Sequence, residues 1–142
     1  MKPFNSLPEK GLAAKVDGQW WLLESQTDYA KAILLRRERV SFYQNGVLHR
    51  EAGAAIIRAD GAQLWYQNGK LHRADGPAII WADGTEEWHL KGKLHRVGGP
   101  AFILANGTQQ WYLYGLRHRE DGPAIIGADG SKAWYKNGRL IK

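Results

Sequence analysis

The chain has 142 residues, 44% hydrophobic and 24% charged, which is enough for one domain and too apolar for wholesale disorder. Its formal charge of +6 is spread out, with seven Lys/Arg against five Asp/Glu in residues 1–42 and thirteen against nine in 43–142, so there is no polybasic tail and one local cluster at Arg36, Arg37 and Arg39. There is no Cys, so disulfides and thiolate chemistry are excluded; no apolar run is long enough to span a membrane, and Met1–Lys10 has no apolar signal core, which makes the cytoplasm the expected compartment.

Taken from the start, residues 1–41 read as an N-terminal cap. Lys15-Val-Asp-Gly-Gln-Trp-Trp21 looks like a worn half-unit built on an Asp-Gly turn, and Ala32-Ile33-Leu34 falls 23 residues before Ala55-Ile56-Ile57. The same stretch, Thr27–Arg39, also fits a short helix with Thr27 as N-cap and Asp28 in its first turn. A degenerate capping repeat is the preferred reading, because terminal units of repeat stacks are atypical, but the sequence leaves helix and strand open here.

From residue 42 onward a period takes over. Tyr43, Tyr66, His89, Tyr112 and Tyr135 are each 23 residues apart, preceded by Phe42, Trp65, Trp88, Trp111 and Trp134 in the same register. His49-Arg50, His72-Arg73, His95-Arg96 and His118-Arg119 follow at the same interval, then Gly53, Gly76, Gly99 and Gly122. Asn45-Gly46, Asn68-Gly69 and Asn137-Gly138 are signals for type I′ hairpins, whose two central residues need positive φ. Asp60-Gly61, Asp83-Gly84, Asn106-Gly107 and Asp129-Gly130 turn the other end of each unit. β-Favouring runs such as Gln63–Gln67 and Ala78–Trp81 lie between the turns. Residues 42–142 therefore predict four hairpin repeats and a C-terminal half-repeat, in an all-β, elongated and curved antiparallel sheet. Because Trp65 and Tyr66 are adjacent, and likewise Ile79 and Ile80, each face of that sheet carries a recurring apolar or aromatic column. One column lines a core; the other needs the N-terminal segment, a second chain or a partner to cover it.

Tyr66-Gln-Asn-Gly-Lys-Leu-His72 followed by Asp83-Gly84 resembles a MORN repeat, over roughly Phe42 to the C-terminus. The likeness is incomplete, since His72-Arg73-Ala74-Asp75-Gly76-Pro77 stands where the family has His-Gly-x-Gly. This variant is similar to Asn-Gly-x-x-His-Arg-x-Asp-Gly-Pro-Ala repeats of bacteriophage and large-virus proteins. The resemblance implies a hairpin stack used for protein contacts, self-association or acidic-lipid binding, and does not imply an enzyme.

The candidate binding residues are His49, Arg50, His72, Arg73, His95, Arg96, His118 and Arg119, together with Tyr66 and Tyr112. Metal binding is disfavoured for the histidines: two strands per repeat place successive copies roughly 10 Å apart, whereas the ligands of one zinc ion lie within about 4 Å of each other. The structural alternative is that each His and Arg bonds turn carbonyls or Asp75 and Asp121, with Arg stacked on Trp. No Ser lies in a nucleophile elbow, Glu86 and Glu87 face apart in a strand, and no Gly-rich phosphate loop precedes a helix. No catalytic residue and no cofactor are expected. The function expected is a non-enzymatic protein-binding module, in its most specific form a phage-encoded inhibitor of a host defence protein. A nucleic-acid-binding sheet, with basic residues among aromatics, is the alternative, and a self-assembling homo-oligomeric scaffold the third reading.

Overall fold

The computed structural model describes residues 1–142 as one short helix and 21 short strands, thirteen of which belong to a single antiparallel sheet. Two compact units divide the chain, Met1–Lys70 and Leu71–Lys142.

In the first unit the elements run β1 (Lys2–Phe4), β2 (Leu12–Val16), β3 (Gln19–Leu23), α1 (Thr27–Leu35), β4 (Arg39–Gln44), β5 (Val47–Leu48), β6 (Ile56–Arg58), β7 (Gln63–Leu64) and β8 (Tyr66–Gln67). The sheet order is β1-β3-β2-β4-β6-β7, with β5 folded back on β4. The worn Asp-Gly unit is a true hairpin: Asp17 and Gly18 both take positive φ, and β2 pairs β3 from Leu12↔Leu23 to Val16↔Gln19. Ala14, Val16, Leu23, Val40 and Phe42 of the sheet close on Tyr29 and Ala32 of α1 to form the one conventional apolar core, with the Tyr29 and Phe42 rings 4.8 Å apart.

The stretch left open by the sequence is thus helical, but it ends at Leu35 and Arg39 already begins β4. Thr27 is not its N-cap. Gln26 holds that position without a side-chain cap, and the Thr27 hydroxyl bonds Ser25 instead. Asp28 ties the helix start down: 2% exposed, it accepts the Glu24 N–H at 2.8 Å and pairs with Lys31 and the Met1 ammonium, both at 3.4 Å. The short helix survives on tertiary packing rather than on its own propensity.

In the second unit each repeat holds four two-residue strands. β9 (Lys70–Leu71) opens it at the boundary, and then come β10 (Ile79–Ile80), β11 (Glu86–Glu87), β12 (His89–Leu90), β13 (Lys93–Leu94), β14 (Phe102–Ile103), β15 (Gln109–Gln110), β16 (Tyr112–Leu113), β17 (Leu116–Arg117), β18 (Ile125–Ile126), β19 (Lys132–Ala133), β20 (Tyr135–Lys136) and β21 (Arg139–Leu140). The main sheet runs β10-β11-β14-β15-β18-β19, while β12-β13, β16-β17 and β20-β21 are separate hairpins.

The expected unbroken run through each aromatic pair is therefore interrupted at the Trp. Trp88 donates its N–H to Ala101 in the sheet and accepts from His95 in the hairpin, and Trp111 does the same with Ala124 and His118. The Trp backbone is a corner that serves two ladders, so the chain leaves the sheet there and cannot continue as one strand. Register puts Ile79, Glu87, Phe102, Gln110, Ile125 and Ala133 on one face, and Ile80, Glu86, Ile103, Gln109, Ile126 and Lys132 on the other. The fully buried positions of the repeats are small: Ala78, Ala101 and Ala124 are each at 0% exposure.

Candidate functional site

The hairpin turns share one backbone geometry, and their hydrogen bonds explain how they are held. Asn45, Asn68, Lys91, Tyr114 and Asn137 all take φ of 48–51° ahead of a positive-φ Gly, as type I′ turns require. Only three of the five are Asn, so Lys91 and Tyr114 adopt a left-handed conformation that costs about 1–2 kcal/mol for an ordinary residue. The histidines hold these turns in place. Nδ1 of His72 accepts the Lys91 N–H at 3.1 Å, Nδ1 of His95 accepts that of Tyr114 at 3.0 Å, and Nδ1 of His118 that of Asn137 at 3.0 Å. His49 treats Asn68 alike at 2.9 Å. The first turn has no preceding His, and the Gly11 carbonyl takes its place by accepting the Asn45 N–H at 2.9 Å. In the four later turns the following Gly adds a second rung, as Gly92 to Leu71 and Gly115 to Leu94, both 2.8 Å.

An Nδ1 that accepts from a backbone N–H carries no proton, so the proton of each neutral ring sits on Nε2. In the first and fourth repeats that Nε2 has a carboxylate, Glu51 at 2.6 Å from His49 and Glu120 at 2.7 Å from His118. His118 and Lys136 together hold the Glu120 carboxyl below its ordinary range. In the second and third repeats the same place in the period is taken by Ala74 and Val97, and Nε2 of His72 and His95 has no partner.

The arginines of the same motif turn inward. Cζ of Arg96 lies 4.0 Å from the Trp88 ring centroid, and Arg119 stands equally close to Trp111. Nη1 of each donates to a proline carbonyl, Pro100 and Pro123, at 3.0 Å. The other side of each guanidinium lies against Gly99 or Gly122, where an added Cβ would meet Arg Cζ at 2.9 Å. Arg73 has the same bond to Pro77 and an ion pair with Asp75, and Arg119 is paired with Asp121. Arg50 rests against both Tyr29 and Phe42, at 5.1 and 4.8 Å from their ring centroids, and burial pushes its guanidinium down from the usual arginine range. For the arginines this matches the structural alternative of turn carbonyls, Asp partners and Trp stacking, whereas the histidines bond turn N–H groups rather than the carbonyls expected. The arginine packing also explains the periodic glycines that lack positive φ.

Of the two tyrosines singled out, Tyr66 supplies the carbonyl that accepts the Arg50 N–H, while Tyr112 donates its hydroxyl to Gln110 and accepts from Arg117. The sequence reading missed a cluster on the Glu87 face of the sheet. Trp81 Nε1 donates to Glu87 at 2.5 Å, and His89 Nε2 meets the other Glu87 oxygen at 3.2 Å. Burial opposes ionisation of Glu87, yet the bonds from His89 and Trp81 outweigh it and leave the carboxyl below its usual range. Nδ1 of His89 is buried without a partner. The available signal was His89 standing in the tyrosine column.

Beside His49 lies a shallow polar groove of about 310 Å³, lined among others by Gln44, Asn45, Glu51, Gln67 and Asn68. Exposed apolar side chains of the second unit include Val97 at 81%, Tyr114 at 65% and Leu116 at 50%, with Leu140 at 62% and Ile141 at 55% at the last hairpin. The His95 ring packs on that of Tyr114 at 4.2 Å, and Val97 follows His95 by two residues.

Fold and site together define a β-hairpin repeat protein whose hairpin turns are held by histidines and whose arginines pack on tryptophans. No helix is long and apolar enough to cross a membrane. No family model and no curated protein matches the chain.

Proposed function

We propose that this chain is a non-enzymatic repeat module of the cytoplasm whose exposed hairpins bind another protein. The observation that carries the reading is the exposure of Tyr114 and Leu116 on a hairpin whose turn is pinned by His95, with exposed Val97 two residues after that His. Exposed aromatic and aliphatic groups on a preorganised scaffold lose little entropy on binding, and such groups anchor protein interfaces. The MORN-like period supports a contact role, and the likeness to phage repeats makes a host protein, including a defence component, the natural target. The alternative of base stacking on the tryptophans is disfavoured, because Arg96 and Arg119 cover a face of Trp88 and Trp111.

The test is affinity capture from bacterial lysate with and without nuclease, using wild type and Tyr114→Asn/Leu116→Lys. Both substitutions copy residues that the second repeat already carries at Asn68 and Lys70, so the fold should be retained. A stoichiometric protein that survives nuclease and is lost with the variant supports the reading. Capture that vanishes with nuclease, or that ignores the variant, overturns it; mass that rises with concentration in the absence of any captured protein replaces it with self-assembly.

A further inference from the structure

We infer that His72 and His95 form two open carboxylate seats, and that the bound protein fills them with acidic side chains. The inference rests on the protein-binding reading and names the chemistry of the partner. The molecule itself displays the filled form of the seat. His49 and His118 have the same backbone-fixed tautomer, and each directs Nε2–H at a Glu two residues on, at 2.6 and 2.7 Å. In the two middle repeats the imidazole is fixed by the same Nδ1 bond, but Ala74 and Val97 supply no acceptor. The only buried side-chain polar atom without a partner is Nδ1 of His89, so Nε2 of His72 and His95 reaches solvent.

The surroundings favour an acidic protein over a phosphate chain. Lys91 and Lys93 stand in the intervening hairpin without an ion pair, while the nearby Asp75 is engaged by Arg73. Exposed Val97 follows His95 by two residues, and Tyr114 packs on the His95 ring, so each polar contact has an apolar neighbour at that seat. A charge-assisted hydrogen bond with apolar surroundings suits a Glu or Asp side chain, and a charged partner makes such a bond roughly twice as strong as a neutral one.

The test uses the full chain and imidazole ¹⁵N NMR, with an acetylated hexaglutamate peptide as probe and an oligothymidylate as its phosphate counterpart. The peptide should shift Nε2 of His72 and His95 and leave His49, His118 and the Glu87-bound His89 in place. Ala74→Glu/Val97→Glu, which copies Glu51 and Glu120, should keep the melting temperature and weaken peptide binding by roughly tenfold or more per seat. Equal shifts at all histidines, no shifts, full binding by the double variant, or tighter binding of the oligothymidylate would each overturn the inference. If the peptide fails while the lysate partner is still captured and still lost with Tyr114→Asn/Leu116→Lys, only the carboxylate seats fall. If capture itself fails, the protein-binding reading falls with them.

Discussion

Gly99→Ala isolates the device that packs these repeats. At a glycine without positive φ this substitution ordinarily stabilises by about 0.4–1 kcal/mol, because it narrows the unfolded ensemble. Here the new Cβ would lie 2.9 Å from Cζ and 3.0 Å from both Nε and Nη1 of Arg96. The guanidinium has nowhere to retreat, with the Trp88 ring 4.0 Å away and the Pro100 carbonyl holding Nη1 at 3.0 Å. Overpacking of this kind costs about 1–3 kcal/mol, and displacing the arginine instead forfeits a cation–π contact of about 0.5–2 kcal/mol and a charged hydrogen bond of about 1.5–3 kcal/mol. The expected result is a net loss of about 1–3 kcal/mol in urea unfolding followed by Trp fluorescence. In an Arg96→Ala background the same Gly99→Ala change should cost nothing or stabilise slightly, giving a coupling of about 1 kcal/mol or more in the double-mutant cycle. A Gly99→Ala protein as stable as wild type, or strict additivity with Arg96→Ala, would refute the sandwich as the reason for the periodic glycine.

Two further outcomes test the cap and the Glu87 cluster. Asp17 accepts the N–H groups of Arg39, Arg37 and Glu38 at 2.7–2.9 Å, and these bonds hold its carboxyl below the ordinary range. A depressed folded pKa gives stability that is fully present above the unfolded value of about 3.9 and is lost as pH falls through the folded one. The melting-temperature gap between wild type and Asp17→Asn should then be constant above about pH 5 and close below about pH 4; a gap unchanged near pH 2 contradicts the assignment. Glu87→Ala strips the acceptor from both Trp81 Nε1 and His89 Nε2, in a site where the Glu87 side chain is 15% exposed. Its expected cost is about 2–4 kcal/mol by urea unfolding, and a loss below about 0.5 kcal/mol would mean that solvent satisfies the cluster.

The period made the sheet legible because turn chemistry is local. Asn-Gly and Asp-Gly pairs announce their φ requirements wherever they stand, and the alternation between them sets strand direction. Lys91 and Tyr114 show where that legibility stops: their left-handed φ comes from a His one repeat earlier, a contact 19 residues away that no local propensity encodes. The helix boundary escaped for a similar reason. Asp17 caps the backbone of residues 37–39 from a distant hairpin, so the chain leaves α1 at Leu35 and is already committed to β4 by Arg39. The strand break at Trp88 and Trp111 depends on which partner each backbone group finds, and that too is tertiary information.

The His-Arg column drew attention as a candidate site because it is kept in every repeat, and its geometry explains the regularity by packing: Nδ1 fixes the next turn, and the guanidinium fills the space between Trp and Gly. In a stack built from one unit, a residue needed for stacking must recur, because each rung meets the same neighbour. A residue that contacts a partner has no such obligation. The informative positions are then the ones where the period lapses on an exposed surface. Glu51, Ala74, Val97 and Glu120 share one place in the unit, and Asn45, Asn68, Lys91, Tyr114 and Asn137 share another. The departures of the two series meet at the same histidines: Ala74 and Val97 follow His72 and His95 by two residues, and Lys91 and Tyr114 bond the Nδ1 atoms of those rings, whose outer nitrogens are free. Regularity here builds the scaffold, and the irregular positions on it are where recognition is expected to reside.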